Sequence, residues 1–183
     1  MKLPSSSTYG FWLAVLRLYT GAFWLMHGIP KFTHSDVFMP PSGMMQAFVN
    51  NAVSNTSGPY QTFLAAVVLP HATIFAEIVR VGEVVTGCLL LLGFYTRTGA
   101  VIGMLLALNY LSAKGGWNHL SLWSGIDATA FVLCFMNFVL STGRVLGIDA
   151  LLGRNRRAVP AAPAAQAVFV DEPPMTGPTA PTA

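Results

Sequence analysis

The sequence predicts an all-α fold: an integral membrane four-helix bundle with a long outer loop between helices 1 and 2. Three observations point there. Hydrophobic residues make up 54% of the 183-residue chain and charged residues only 9%, against roughly 25% charged in an average soluble domain. Four apolar stretches approach the ~20 residues an α-helix needs to cross a bilayer. Lysines and arginines gather on one side of those stretches, as they do when a chain is threaded through a membrane.

The first stretch is about Gly10–His27. Its lead-in, "MKLPSSSTYGFWLAVLRLYTGAFWLMHG", resembles a signal peptide in length only. Arg17 interrupts the apolar core and no small-x-small cleavage site follows, so a retained helix is expected. The polar stretch of about Gly28–Gln61 is rich in Pro, Ser and Asn, and within it "MMQAFVNNAV" suits a short surface helix. "TFLAAVVLP" then leads into the second span, about His71–Phe94. One helix through both would run about 33 residues, or roughly 50 Å, longer than a bilayer is thick. Pro70 removes a backbone donor and is expected to kink or end it, leaving Thr62–Leu69 as a half-helix near the surface.

The third span is about Thr98–Ala113 and the fourth about Gly125–Thr142. Both are short, so flanking residues or a thinner bilayer complete them. Gly99 and Gly103 are spaced for close packing of the third helix within the bundle. "GRVLGIDALLGRNRR" reads as a short amphipathic helix ending in a basic anchor for an anionic leaflet. From about Ala158 the chain is Pro/Ala-rich and is expected to be disordered. The expected organisation is an N-terminal cytoplasmic segment (1–9), the four-helix domain (10–153), and a basic anchor with its tail (154–183).

Lys2, Arg97, Arg144, Arg154, Arg156 and Arg157 fall on one side of the spans, and Lys31 and Lys114 on the other. The bias puts both termini in the cytoplasm of a bacterial or archaeal cell, with the protein in its inner membrane. Trp12 and Tyr95 would sit at the inner interface, and Trp24, Trp117 and Trp123 at the outer one.

Within this apolar chain, "FAEIVRVGEVV" carries Glu77, Arg80 and Glu83 in seven positions. Counting rise per residue from the inner ends puts Glu83 at roughly 16 Å, near the midplane, and Arg17 on the first helix at roughly 10 Å. Arg80 falls between the two glutamates in helical angle. A ladder is therefore expected, Arg17–Glu83–Arg80–Glu77, with Arg17 and Glu83 as its structural ion pair. An unpaired charge at this depth costs at least about 2.5–3.5 kcal/mol. The ladder either fixes helix register only or marks a substrate or proton path.

Other polar groups collect on the outer side: His27, Lys31, His71, Asn109, Tyr110, His119 and Asp127. Singly, Asp127 reads as a helix-start residue and the histidines as interfacial groups. Together they would ring the mouth of a bundle that holds Glu77 and Arg80, a pattern suited to a ligand head group at the end of an apolar cleft. A quinone fits, with a histidine or carboxylate exchanging its proton. Glu77, Arg80, Glu83 and His27 are the candidate catalytic residues, with Glu77 the strongest. His71, His119, Asp127 and Lys31 are the candidates for holding the quinone. Cys88 and Cys134 are far apart, in apolar runs and outside any CxxC, so each reads as a small hydrophobe. The sequence has no zinc spacing, phosphate loop, flavin motif, haem-ligand pair or basic nucleic-acid patch, and no nucleic-acid partner is expected.

The motifs resemble those of DoxX-type membrane proteins. "LRLYTGAFWLMHGIPKF" carries an Arg, a Gly one turn on, then His-Gly and a Lys, here Arg17, Gly21, His27, Gly28 and Lys31. "AEIVRVGEVVTGCLLLLGFYTRTGAVIGMLLAL" resembles the family's second and third helices through Glu77, Glu83, Gly87, Gly93, Thr96 and Arg97. "GRVLGIDALLG" resembles the C-terminal motif as it occurs in DoxD-type subunits of thiosulfate:quinone oxidoreductase. The resemblance implies a four-helix membrane protein in a redox setting, passing electrons to membrane quinone beside a second redox subunit, DoxA-like or rhodanese-like. The other role it leaves open is a non-catalytic anchor of a thiol-redox or oxidative-stress complex. Partnership with the lipid bilayer is expected in either role, and self-association stays open.

Overall fold

A computed structural model describes residues 6–116, 121, 124–144 and 146–157. Among these the chain is all-helical, with no strand. Four helices form the bundle: α1 (Ser6–Gly28), α6 (Ala72–Leu92), α7 (Thr96–Ala113) and α8 (Ile126–Val139). Each sits on one of the four expected apolar stretches. The linker between α1 and α6 folds into α2 (Pro30–Thr33), α3 (Ser35–Phe38), α4 (Met44–Asn55) and α5 (Gly58–Phe63). α5 continues as a π-helical segment, Leu64–Val68. A final helix, α9 (Ile148–Arg157), follows a 3₁₀ turn at Thr142–Arg144. The "MMQAFVNNAV" segment is α4 and "GIDALLGRNRR" is largely α9. The tail from 158 lies outside the described residues.

Pro70 acts as its chemistry requires. The pair Gly58–Val68 and Ala72–Leu92 is bent by 104° at the break between them. Without that break, the missing N–H and the ring would disrupt a continuous helix.

The bundle runs antiparallel around a ring: α1 beside α6, α6 beside α7, α7 beside α8, and α8 beside α1. Small residues set how the helices cross. A Cβ on Gly21 would lie 2.8 Å from the Leu91 amide nitrogen, and one on Gly87 2.9 Å from the Gly21 carbonyl. This backbone-to-backbone contact fixes the register of α1 against α6. Gly103 plays the same part between α7 and α8, where a Cβ would meet Cys134 Sγ at 2.6 Å. The Gly99/Gly103 pair thus serves packing inside the bundle.

Trp24, Leu90, Ala100, Ala107, Ala130 and Cys134 form the apolar core of the bundle. A second core joins the linker helices to one end of α6 and α7, through Phe38, Met45, Val49, Leu64, Val68, Ala76, Val79 and Ala113. The interior also holds polar groups: Arg17, Thr20, Glu83, Thr86, Thr96, Asn137 and Thr142 are buried. Large apolar residues meanwhile face out on all four helices, among them Trp12, Tyr19, Ile74, Ile78, Leu105, Val132 and Val139. This distribution is the reverse of a soluble bundle, which hides its apolar stripe. Among the described residues no single helix is both long and apolar enough to cross a membrane by itself. The bent pair qualifies together, and α8 is a shorter apolar helix.

Candidate functional site

The site forms near the linker end of the bundle, where α1, α6, α7 and α8 converge around a small cleft of about 40 Å³. Its walls are Phe23, Trp24, His27, Glu83, Ala107, Tyr110, Ile126, Asp127 and Ala130. Phe23, Trp24 and Tyr110, with three aliphatic side chains, make it largely apolar. That space is well below the ~300–1,000 Å³ usual for small-molecule sites.

Glu83 is the polar centre of this cleft, and its side chain is only 2% exposed. Its Oε1 accepts from Lys31 Nζ at 2.6 Å and from the Tyr110 hydroxyl at 2.6 Å. Lys31 Nζ also donates to the Tyr110 oxygen at 2.8 Å, which closes a triangle. Two donors on one oxygen, one of them an ammonium, is the pattern of an ionised carboxylate. Glu83 Oε2 is buried and has no hydrogen-bond partner. A buried acceptor left unsatisfied is costly; Arg17 Nε and Nη1 and Thr86 Oγ1, away from the cleft, share that state.

Local sequence explains how three residues distant in the chain meet. The α1–α6 contact brings Gly28 so close to α6 that a Cβ there would lie 3.0 Å from Glu83 Cβ. Ile29 keeps helical backbone and Pro30 opens α2, so the chain runs on beside α6 and puts Lys31 over the Phe38 and Tyr110 rings at 5.2 and 5.3 Å. Tyr110 comes from α7, on the same wall as Ala107 one turn before it.

The remaining polar groups are committed elsewhere. His27 Nδ1 donates to the Phe23 carbonyl at 2.8 Å, and its ring packs on Phe23 at 4.4 Å between centroids. Asp127 Oδ2 accepts from Lys114 Nζ at 2.6 Å. Trp24 Nε1 donates to Cys134 Sγ at 3.1 Å, so Cys134 is a buried packing partner behind the cleft wall. Cys88 lies exposed on α6.

The expected charge ladder is not what the structure holds. Arg80 pairs with Glu77 on its own helix through both guanidinium edges, with Nε at 2.7 Å from Oε2. It stacks over Phe32 at 4.5 Å and does not bridge to Glu83. Glu77 is 44% exposed along its side chain, and neither it nor Arg80 lines the cleft. Glu83's cation is Lys31, not Arg17. Arg17 Nη2 donates to the Leu146 carbonyl at 3.0 Å, at the opposite end of the bundle, where Asp149 is the carboxylate acting on it. The physical reason is register. The Gly21–Gly87 contact sets Arg17 opposite Gly93 at the end of α6, nearly three turns (about 15 Å) away from Glu83.

Of the other nominated residues, His27 and Asp127 line the cleft and Lys31 reaches it through Glu83. His71 does not: it sits exposed at the start of α6, with Nδ1 donating to the Val67 carbonyl at 2.9 Å. His119 lies outside the described residues. Tyr110 belonged to the outer polar set, but its bond to Glu83 could not be read from spacing. Phe23, Trp24, Ala107, Ile126 and Ala130 were not singled out, since an apolar wall residue looks like any core residue in sequence. Among the described residues no three His, Cys, Asp or Glu side chains gather to hold a metal ion.

Comparison with known families decides the lineage. The family model for DoxD, described as the TQO small subunit DoxD, matches residues 12–166. The chain belongs to the DoxD family. DoxD proteins are membrane proteins, so the buried charges and outward apolar faces belong to a chain that resides in a membrane. No curated protein and no solved structure matches the chain.

Proposed function

We propose that this DoxD protein is the small membrane subunit of a quinone-linked redox system of the thiosulfate:quinone oxidoreductase type, and that the Glu83 cleft seats the quinone head group. The observation that carries the reading is the unpartnered Glu83 Oε2 in an aromatic-walled cleft. The family's description supports the redox setting. In this reading α1, α6, α7 and α8 all cross the inner membrane, both termini are cytoplasmic, and the linker end faces outward. The inverted burial pattern and the arginines of α9 support that orientation.

The lining suits the chemistry of such a group, while its space of about 40 Å³ is smaller than a quinone ring, so the walls must part to admit one. Phe23 and Trp24 give flat apolar surface for a ring, and Glu83 gives one hydrogen-bonding oxygen. Bound there, a quinone supplies a two-electron, two-proton acceptor. Lys31 and Tyr110 hold the Glu83 carboxylate in place. Lys31, 20% exposed along its side chain, links Glu83 to the surface for proton exchange. A second redox subunit would deliver the electrons from thiosulfate. The anchor reading expects every buried charge to be fully paired, and the unpartnered Glu83 Oε2 favours the quinone site over it.

The test is thiosulfate-dependent quinone reduction in membranes that contain this chain and its partner subunit. Glu83→Gln is expected to lower the rate at least about tenfold, since general acid–base groups contribute roughly 10²–10⁴-fold. An unchanged rate, with assembly verified, would remove Glu83 from the chemistry.

A further inference from the structure

Two arginines at the end of the bundle away from the linker have no counter-charge. Arg97, in the first turn of α7, and Arg144, in the 3₁₀ turn after α8, are both exposed. Among the described residues neither guanidinium pairs with a carboxylate. Asp149, an acid at this end, is engaged with the Tyr95 and Thr96 amides, so the α7 N-terminus is already capped. Arg97 Nε and Nη2 donate instead to Ser141 Oγ, at 3.1 and 2.7 Å. Among the described residues the Ser141 hydroxyl proton has no acceptor of its own. Ser141 holds a left-handed backbone, φ +48°, a costly conformation for a residue with a side chain. The Arg144 amide donates to the Ser141 carbonyl at 3.0 Å. This turn therefore gathers Arg97, the Ser141 hydroxyl and the backbone of Arg144 in one place.

An apolar strip leads away from it. Val101 and Leu105 follow Arg97 at i+4 and i+8, share its face of α7, and are exposed. They carry the strip roughly 12 Å along the helix, most of the ~15 Å depth of one leaflet's hydrocarbon. On the neighbouring α8, the Phe138 ring lies under the Arg97 guanidinium at 5.7 Å, and Phe135, one turn on, is exposed. We propose that this face of α7 and α8 is a binding site for an anionic phospholipid, with the phosphate on Arg97, Arg144 and the Ser141 hydroxyl and an acyl chain along Val101 and Leu105. Guanidinium groups suit phosphate oxygens through charge-assisted hydrogen bonds. A free phosphate would leave the strip unused, and an acidic peptide would meet cations at one end of it only. A zwitterionic lipid brings an ammonium that two unpaired guanidiniums repel. The site is independent of the quinone reading. Its lipid neutralises both arginines and ties α7 to the turn that leads into α9.

The test is native mass spectrometry of the detergent-solubilised full chain, titrated separately with phosphatidylglycerol, phosphatidylcholine and inorganic phosphate. Phosphatidylglycerol is expected to bind at least about tenfold tighter than phosphatidylcholine, and inorganic phosphate far more weakly than either. Arg97→Gln and Arg144→Gln, both at exposed positions, are each expected to weaken phosphatidylglycerol binding several-fold and to leave phosphatidylcholine binding unchanged. Equal affinity for the two lipids in the wild-type protein overturns the proposal, and that comparison needs no variant to fold. A preference that survives both substitutions overturns the placing of the site. Inorganic phosphate binding as tightly as the lipid overturns the part of the apolar strip. A dimer free of lipid assigns this face to a second copy of the chain and overturns the lipid.

Discussion

Replacing Lys31 with methionine is expected to lower the stability of the solubilised protein by roughly 3 kcal/mol. Removing one partner of a buried ion pair leaves the other charge uncompensated, at a cost of about 3–5 kcal/mol. The low end applies because Tyr110 still donates to Glu83 Oε1. The pairing also dictates the rescue. Lys31→Met combined with Glu83→Gln removes both charges and is expected to recover most of the loss, read as the thermal midpoint of each member of the cycle. Additive losses would show that Lys31 and Glu83 are not coupled.

The second large effect lies at the other end of the bundle. Gly93→Ala is expected to cost about 3 kcal/mol or more and to free α9 from the bundle. Gly93 has φ +63°, a left-handed conformation that costs a side-chain-bearing residue roughly 1–2 kcal/mol. A Cβ there would also lie 1.6 Å from Arg17 Nη1 and 2.7 Å from Gly147 Cα. Arg17 is fully buried and cannot swing aside, and the Gly147 backbone cannot yield without moving α9.

The whole end of the bundle away from the linker depends on this fit. Asp149 Oδ1 and Oδ2 accept from the Tyr95 and Thr96 amides, each at 3.0 Å, and Oδ2 from Thr96 Oγ1 at 2.9 Å. Asp149 N in turn donates to the Gly93 carbonyl at 2.8 Å. The carboxylate thereby caps the start of α7 from a distant segment. Faster tryptic cleavage within α9 is the readout. Gly82→Ala is the control, since its Cβ would meet only a Leu106 methyl at 3.3 Å. Equal protease resistance in Gly93→Ala would mean that Arg17 does not hold the C-terminal segment in place.

The helices were legible because apolar runs and punctuation agree. Pro70 breaks the chain where its missing donor says it should, and the Gly99/Gly103 spacing packs inside the bundle. "FAEIVRVGEVV" was legible as a place where charge meets apolar surroundings. Its partners were not. Depth counted from helix ends assumes that the ends align, whereas the Gly21–Gly87 contact displaces α1 along α6 by more than a turn. That shift hands Arg17 to Leu146 and Asp149 and leaves Glu83 to Lys31, a residue beyond the end of α1. Lys31 reaches Glu83 because the chain runs on beside α6 past the Gly28 contact, and the pattern within one helix does not encode its partner. Glu77 drew the strongest nomination because it lay nearest the outer polar groups. Its satisfied bond to Arg80 and its exposure make it a surface pair, and the open valence belongs to Glu83.

The most direct test of the quinone site is photolabelling of the full chain in membranes with an azido-substituted quinone, followed by peptide mapping. The account predicts label within 23–27, 107–110 and 126–130, suppressed by excess of the unsubstituted quinone. Label confined to other segments, or equally strong when that quinone is present, would contradict it.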